Sequence, residues 1–301
     1  MKKCKFCKKK AEVFVEFSLC KECFFNLFEK RFKKDSEKIL RKFKKIAIGI
    51  SGGKDSGTLL YLLRKIYPEK EIFAFHLNLG IFEFSDESEK FAKKQAELAK
   101  VNLKVFRLKE ILGFEIPEIR KKYKKVCGIC GNIKRYFFNK IAFEEKCDLF
   151  LTAHHLDDFL ERALNSILVG DFESLIRLKP YLPKRGNLVA KFKPFYRTLE
   201  KNIREYASLR EIPFCEKKCP LRERDLPPQK RLREAIEIVS QREQTKYTIL
   251  SSFLRLIKML EKNISLPKLV KCERCGFLTT SKICAFCRRV NKIKKELGIQ
   301  K

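Results

Sequence analysis

Three groups of residues in this 301-residue chain have types and spacings that suit chemistry. The first is Ser51-Gly52-Gly53-Lys54-Asp55-Ser56. Two glycines let backbone N–H groups approach an anion, the hydroxyls of Ser51 and Ser56 add donors, and Lys54 adds a point charge. That combination suits phosphate, although the spacing is not that of a Walker loop, whose glycines stand further apart. The second group is a pair of cysteine arrays. Cys4, Cys7, Cys20 and Cys23 read C-x2-C, twelve residues, C-x2-C, and Cys272, Cys275, Cys284 and Cys287 repeat the pattern with eight residues between. Each array offers four soft thiolates and no open position, which predicts a structural zinc site near either end of the chain. The third group is Cys127-Gly128-Ile129-Cys130, which has no second hook beside it. Its further ligand must come from elsewhere, and Cys215 and Cys219 are the candidates. Three readings stay open on spacing alone: a three-thiolate cluster with one free metal position, a redox pair, and a four-cysteine zinc site using both.

The elements around these residues are legible from their patterning. Residues 46–50 are wholly apolar and predict a buried parallel strand that feeds the glycine loop, and 57–65 carry helical spacing. Strands are expected at 71–77, 103–108 and 148–153, with a helix over 85–100. Alternation of this kind implies a doubly wound parallel α/β sheet, whose ligands lie beyond the strand carboxyl ends. Residues 51–56, 76–80 and 153–158 would all fall there. His154 and His155 are neighbours on extended chain and so point opposite ways; each is read as packing or hydrogen bonding at a strand end. Asp157 and Asp158 stand where a helix begins, so one is expected to cap it and the other to reach a ligand or magnesium ion. Residues 22–43 form a basic amphipathic helix between the first cysteine array and the loop. Residues 221–263 are mostly helical, with Arg222, Arg224, Lys230, Arg231, Arg233, Arg242 and Lys246 read as a phosphate-facing surface, and a basic helix over 288–295 ends the chain. The expected divisions are 1–28, 29–220, 221–265 and 266–301.

Lysine and arginine total 69 against 37 acidic residues, a formal charge of +32 spread along the whole length, which favours a polyanionic partner. No run approaches the ~20 apolar residues of a membrane span, and no signal-peptide core follows Met1, so a cytoplasmic protein is expected. In that reducing setting thirteen cysteines argue for metal rather than disulfides.

Further motifs join these in a recognisable order: His76-Leu77-Asn78-Leu79-Gly80-Ile81, Lys134-Arg135-Tyr136, His155-Leu156-Asp157-Asp158, Lys193-Pro194-Phe195-Tyr196-Arg197, Cys219-Pro220 and Cys272-Glu273-Arg274-Cys275-Gly276. With the Ser51 to Ser56 loop, which resembles the pyrophosphate loop of the ATP-pyrophosphatase superfamily, they resemble the TtcA/TtuA family of tRNA 2-thiolation enzymes, the TtuA branch above all. The resemblance spans nearly the whole chain. It implies a PP-loop core between two zinc fingers, each with one Zn2+, and an enzyme that splits ATP to AMP and pyrophosphate to adenylate the C2 oxygen of a T-loop uridine or 5-methyluridine before sulfur replaces it. ATP, with Mg2+, would be held by Gly49, Ser51, Gly52, Gly53, Lys54, Asp55, Ser56, Leu77, Lys134 and Ala153; Lys54, Lys134 and Asp158 would be catalytic. Cys127, Cys130 and Cys219 would hold an oxygen-sensitive [4Fe-4S] cluster, leaving Cys147 and Cys215 outside. A ubiquitin-like sulfur carrier with a thiocarboxylated C-terminal glycine, tRNA and a second copy of the chain are the implied partners. His154 departs from the family pattern, which has glycine there. The rival readings are the same chemistry on the wobble uridine or a cytidine, a PP-loop enzyme using ammonia or lysine as nucleophile, and a non-catalytic zinc-dependent RNA-binding protein.

Overall fold

The computed structural model describes residues 2–123, 125–221 and 227–299. A short hairpin, β1 (Val13–Phe14) and β2 (Ser18–Leu19), opens the chain and leads into α1 (Lys21–Leu40). This helix forms where sequence patterning places it because Phe24, Phe28, Phe32, Ser36 and Leu40 recur every four residues, with Phe25 beside them, and all are buried. Each apolar side chain among them taken out of water contributes about 1.5–3 kcal/mol.

The central sheet is built from β3 (Lys45–Gly49), β4 (Glu71–Asn78), β5 (Leu103–Arg107) and β6 (Leu149–Leu151), joined by α2 (Lys54–Ile66), α3 (Phe82–Leu98), the short α4 (Leu108–Leu112) and α5 (Ile116–Arg120), and α6 (Cys127–Glu144). After β6 come α7 (Leu156–Leu168), α8 (Phe172–Ile176), β7 (Tyr181–Leu182), β8 (Ala190–Phe192) and α9 (Glu200–Leu209). The strand order is β5-β4-β3-β6-β8-β7, parallel throughout except for the antiparallel edge strand β7. The doubly wound parallel expectation holds, and β7 and β8 extend it; their two- and three-residue lengths carry no periodicity from which sequence could infer them. The order reverses between β4 and β6 on either side of β3, so the crevice at the end of β3 is the place where such a sheet binds ligands.

The remaining helices are α10 (Pro227–Val239), α11 (Glu243–Asn263) and, after the hairpin of β9 (Val270–Lys271) and β10 (Leu278–Thr279), α12 (Ala285–Leu297). Arg222 and Arg224 of the expected basic run lie outside the described residues, as does the Lys230 side chain.

Both cysteine arrays share apolar cores with the sheet. On one side Phe28 stacks on Tyr206 of α9 at 4.4 Å, and Phe24 and Phe25 pack against the same ring. Glu16, in the β1–β2 turn, accepts from Arg31, Asn202 and Tyr247 and so ties the hairpin to α1, α9 and α11. On the other side Tyr136 of α6 stacks on Phe286 of α12 at 3.6 Å, and Asn187 bonds both Gly276 and Leu278.

Candidate active site

The loop after β3 turns sharply at Gly52, whose φ is +76°. A Cβ there would lie 2.2 Å from the backbone oxygen of Ser88, so glycine is required both by conformation and by space. Ser51 and Ser56 brace the turn: the hydroxyls are 3.0 Å apart, and the Ser51 N–H donates to Ser56 Oγ at 3.1 Å. Gln95 of α3 donates to the Gly53 carbonyl at 3.2 Å and to the Pro213 carbonyl at 2.7 Å, and the Cys215 N–H donates to the Gly52 carbonyl at 2.9 Å. The segment after α9 is thereby strapped across the loop.

Lys54 does not stand free. Its ammonium lies 2.9 Å from Glu200 and 3.1 Å from Asp55. Burial works against the ionised Glu200, yet Lys54 outweighs it and holds that carboxyl below its usual range. Burial pushes the Asp55 carboxyl up, with Lys54 opposing. Several buried polar atoms at the loop have no protein partner, among them Asp55 Oδ1, Thr58 Oγ1, His76 Nε2 and Gln95 Oε1. Unsatisfied groups around a glycine loop at a helix start suit a polyphosphate with its cation. Gly49 ends β3, Leu77 sits one residue from the end of β4 and Ala153 lies two residues past β6, so all three border the same crevice.

The 154–158 segment divides its labour differently from the sequence expectation. His155 and Asp158 form a reciprocal cap on α7: the Asp158 N–H donates to His155 Nδ1 at 3.4 Å and the His155 N–H to Asp158 Oδ2 at 3.3 Å. Asp157, expected to be the freer carboxylate if Asp158 caps, is fully engaged. It accepts the Glu200 N–H at the start of α9 at 2.8 Å and the Lys246 ammonium of α11 at 2.8 Å. Contrary to the expectation from extended backbone, His154 and His155 both line one cleft with Asp158, though with different partners; His154 Nδ1 contacts Thr152 Oγ1 at 3.0 Å, and burial pushes its pKa down to about 4, so it is neutral at physiological pH. Glu200 escaped sequence reasoning altogether. Its place opposite Lys54 depends on the cap from Asp157, 43 residues away in the chain, and no local signal marks it.

At the start of α6, Cys127, Gly128 and Cys130 form the exposed turn of the helix, with Cys130 half-buried. The strap from α9 returns here, and Cys127 Sγ lies 3.8 Å from the Leu221 carbonyl. Burial raises the Cys130 thiol; the Lys134 ammonium opposes this, and nearby Cys219 and Cys127 add to it. Lys134 also acts on His76 at the end of β4, whose imidazole is lowered first by burial. Lys134 is therefore within electrostatic reach of both the Cys130 thiol and the end of β4. The three thiols are not among the described ligand groups that fall within 4.8 Å of one another. A cubane spreads its thiolates over separate irons, so this wider set suits a cluster better than a single ion. The Cys215 N–H is held by the Gly52 carbonyl, and Cys147 is buried beside β6 with its thiol pushed up to about 12 by burial.

The two terminal arrays are tighter. All four sulfurs of each lie within 4.8 Å of one another, with Cys7 to Cys20 at 3.5 Å and Cys275 to Cys284 at 3.8 Å. A tetrahedral zinc with Zn–S bonds of about 2.3 Å separates its sulfurs by about 3.8 Å. Burial disfavours the Cys4 and Cys272 thiolates, but backbone N–H groups aimed at them, including the Cys284 N–H at 3.3 Å from Cys272 Sγ, bring both thiols down to about 6. Burial and neighbouring thiols raise Cys23 and Cys287 instead, so each array offers one ready thiolate, and its four clustered sulfurs fit a zinc ion.

A family model described as a PP-loop domain matches residues 26–236. The tRNA-5-methyluridine(54) 2-sulfurtransferase of Pyrococcus horikoshii is 34% identical over 303 aligned residues, covering 99% of this chain and 96% of that protein. The enzyme of the same description from Thermotoga maritima is 35% identical, covering 97% of each. Among solved structures, the U34-tRNA thiolase NcsA from Methanococcus maripaludis with its [4Fe-4S] cluster superposes with a TM-score of 0.81 at 28% identity, covering 95% of both chains. This chain belongs to the PP-loop family and, within it, to the family of tRNA 2-sulfurtransferases.

Proposed function

We propose that the protein is an ATP-dependent tRNA 2-sulfurtransferase that converts the C2 carbonyl of a T-loop 5-methyluridine or uridine to thiocarbonyl. The observation that carries this reading is the position of Lys134, which acts on both the Cys130 thiol and the crevice that ends β3 and β4. A nucleotide site and a three-thiol set then serve one reacting centre. Identity of 34–35% over almost the full length to 5-methyluridine-54 enzymes favours the T-loop; the U34 function of the structural neighbour supports the wobble uridine as the second reading.

In this mechanism the loop N–H groups, with Ser51, Ser56 and Gly53, cradle the ATP phosphates, and Lys54 exchanges Glu200 for the departing pyrophosphate. The uracil C2 oxygen attacks the α-phosphorus; an O–P bond forms as the bond to pyrophosphate breaks. Lys134 neutralises charge at the α-phosphate. Asp158, lining the adjacent cleft, orients the base. A sulfur nucleophile adds to C2, the C2–O bond breaks, and AMP leaves with the oxygen. Cys127, Cys130 and Cys219 would hold a [4Fe-4S] cluster, which with three protein thiolates supplies an iron position open to sulfur. Asp55, with a partnerless buried oxygen, suits Mg2+ accompanying the phosphates. One Zn2+ in each terminal array, a ubiquitin-like thiocarboxylated sulfur carrier, a homodimer, a cytoplasmic location and a functional division at residues 28, 220 and 265 complete the proposal. The family resemblance supports the carrier and dimer. The thirteen free cysteines, and the lack among the described residues of a helix long and apolar enough to cross a membrane, support the location.

The test is nucleoside mass spectrometry with fragment mapping on unmodified tRNA after anaerobic incubation with reconstituted protein, ATP, Mg2+ and sulfide. Sulfur at a T-loop uridine supports the proposal, sulfur at the wobble base selects the second reading, and ATP consumption without base sulfur overturns both.

A further inference from the structure

A row of basic side chains runs from α12 to the start of α7, and little negative charge answers it. Arg289 of α12 donates to the Gly128 carbonyl at 3.1 Å, directly on the Cys127–Cys130 turn. Arg135 of α6 feels both Arg289 and Arg162 of α7; Lys191 of β8 feels Arg135; Lys193 feels Arg162 and Lys191. In each of these last three groups burial lowers the pKa first and the like charges lower it further, bringing Lys193 down to about 8. Among the described residues the side chains of Arg135, Arg162 and Lys191 make no hydrogen bond or ion pair, and Arg162 is exposed. Lys193 spends two of its protons on the Leu178 and Lys179 carbonyls. The row ends in a small cleft of about 30 Å³ lined by His154, Asp158, Arg162, Lys193 and Tyr196, with Asp158 the only carboxylate among the described residues that line it. Assembling cations without counter-ions opposes folding through mutual repulsion, and a bound polyanion relieves it.

We propose that Arg289, Arg135, Lys191 and Arg162 form a track for successive backbone phosphates of the RNA strand, ending with the phosphate beside the target nucleotide in the Arg162–Lys193 cleft. This rests on the tRNA reading above and names the surface that serves it. ATP is the poorer occupant. Its polyphosphate has its own cradle and its own lysine on α2, whereas the track spans α12, α6, β8 and α7, four elements that one small anion cannot serve. A strand carrying a phosphate at every nucleotide can serve them in turn, and the track passes the thiol turn on its way to Asp158. Arginine-rich contacts of this kind position a strand without reading its sequence.

The experiment uses the full-length reconstituted protein and measures tRNA affinity by fluorescence anisotropy across a salt series, alongside ATP affinity. Removing two phosphate contacts in Arg135→Ala/Arg162→Ala is expected to weaken tRNA binding about tenfold and to reduce the slope of log K against log salt by about 1.4–1.8. ATP affinity and melting temperature should hold, Arg162→Lys should retain most of the affinity, and Lys90→Ala/Lys94→Ala on α3, near the opposite edge of the sheet, should leave the slope unchanged. Unchanged tRNA affinity and slope in the arginine double variant would overturn the track. So would a raised ATP dissociation constant with tRNA binding intact, which would assign the cations to ATP. Intact tRNA binding with thiolation lost only when sulfur arrives on a protein thiocarboxylate would assign them to a carrier instead. If the wild-type protein itself showed no affinity for tRNA, the sulfurtransferase reading would fall, and the track with it.

Discussion

The chain holds two kinds of cysteine site, and they differ in almost every physical respect. In the terminal arrays four sulfurs crowd within 4.8 Å, backbone N–H groups stabilise a thiolate at Cys4 and at Cys272, and aromatic packing locks each array to the body of the protein. At the Cys127 turn the thiols are spread more widely, the Lys134 ammonium opposes the burial that raises the Cys130 thiol, and the third cysteine arrives on a strap held by hydrogen bonds to the nucleotide loop. A ligand set that must only hold a fold can close completely on its ion. One that must exchange sulfur with a substrate has to keep an edge accessible, and it depends on distant segments for its third member.

The sharpest way to break this contrast is to remove one ligand of each kind. Cys127→Ser, Cys130→Ser and Cys219→Ser are each expected to cut thiolation by more than about 100-fold, measured by nucleoside mass spectrometry, with zinc content unchanged and melting temperature little altered. Full iron and sulfide in Cys219→Ser would shift the third ligand to Cys215. Cys4→Ser and Cys272→Ser should instead lose one zinc by elemental analysis and destabilise the fold by more than about 4 kcal/mol in chemical denaturation. If either variant kept its zinc and stability, that array would not be a structural metal site.

Next in size is Gly52→Ala. The Cβ meets the Ser88 oxygen and the backbone is left-handed, so a loss of about 2–4 kcal/mol is expected together with loss of ATP binding, read by calorimetry. Glu200→Gln should act in the opposite direction. Freeing Lys54 from a half-buried carboxylate removes about 1 kcal/mol of competition, so ATP should bind about fivefold tighter; weaker binding would mean that Glu200 helps hold the nucleotide.

The smallest effect concerns acid stability at the Asp157 pin. Burial opposes its ionisation, but the Lys246 ammonium and the Glu200 N–H hold its carboxyl below the usual 3.8. A depressed folded-state pKa stabilises the fold above 3.8, and that contribution is lost as pH falls through the lower folded value. The stability difference between wild type and Asp157→Asn should therefore be constant near neutrality and close below about pH 3.8. A gap that persists in acid would mean that Asp157 acts through packing alone.

Sequence alone determined what depends on near neighbours. Both C-x2-C arrays, the glycine loop between an apolar strand and a helix, the order of the four parallel strands β3 to β6, and α1 with its phenylalanine face all follow from spacing within a few turns of chain, whereas the short α4 and α5 between β5 and α6 do not. The family motifs set the remaining expectations for Lys134, Asp158 and Cys219. Only the tertiary structure decided which side chains oppose one another across the crevice. Lys54 meets Glu200, 146 residues away, because Asp157 caps α9 from the start of α7; Asp157 is committed to that cap and to Lys246; and the cations of four elements form one row. None of these pairings leaves a periodic trace, since each arises where separately patterned elements converge at the carboxyl end of the sheet. The short edge strands β7 and β8 were decided the same way, by pairing with a sheet already formed rather than by any preference strong enough to read in five residues.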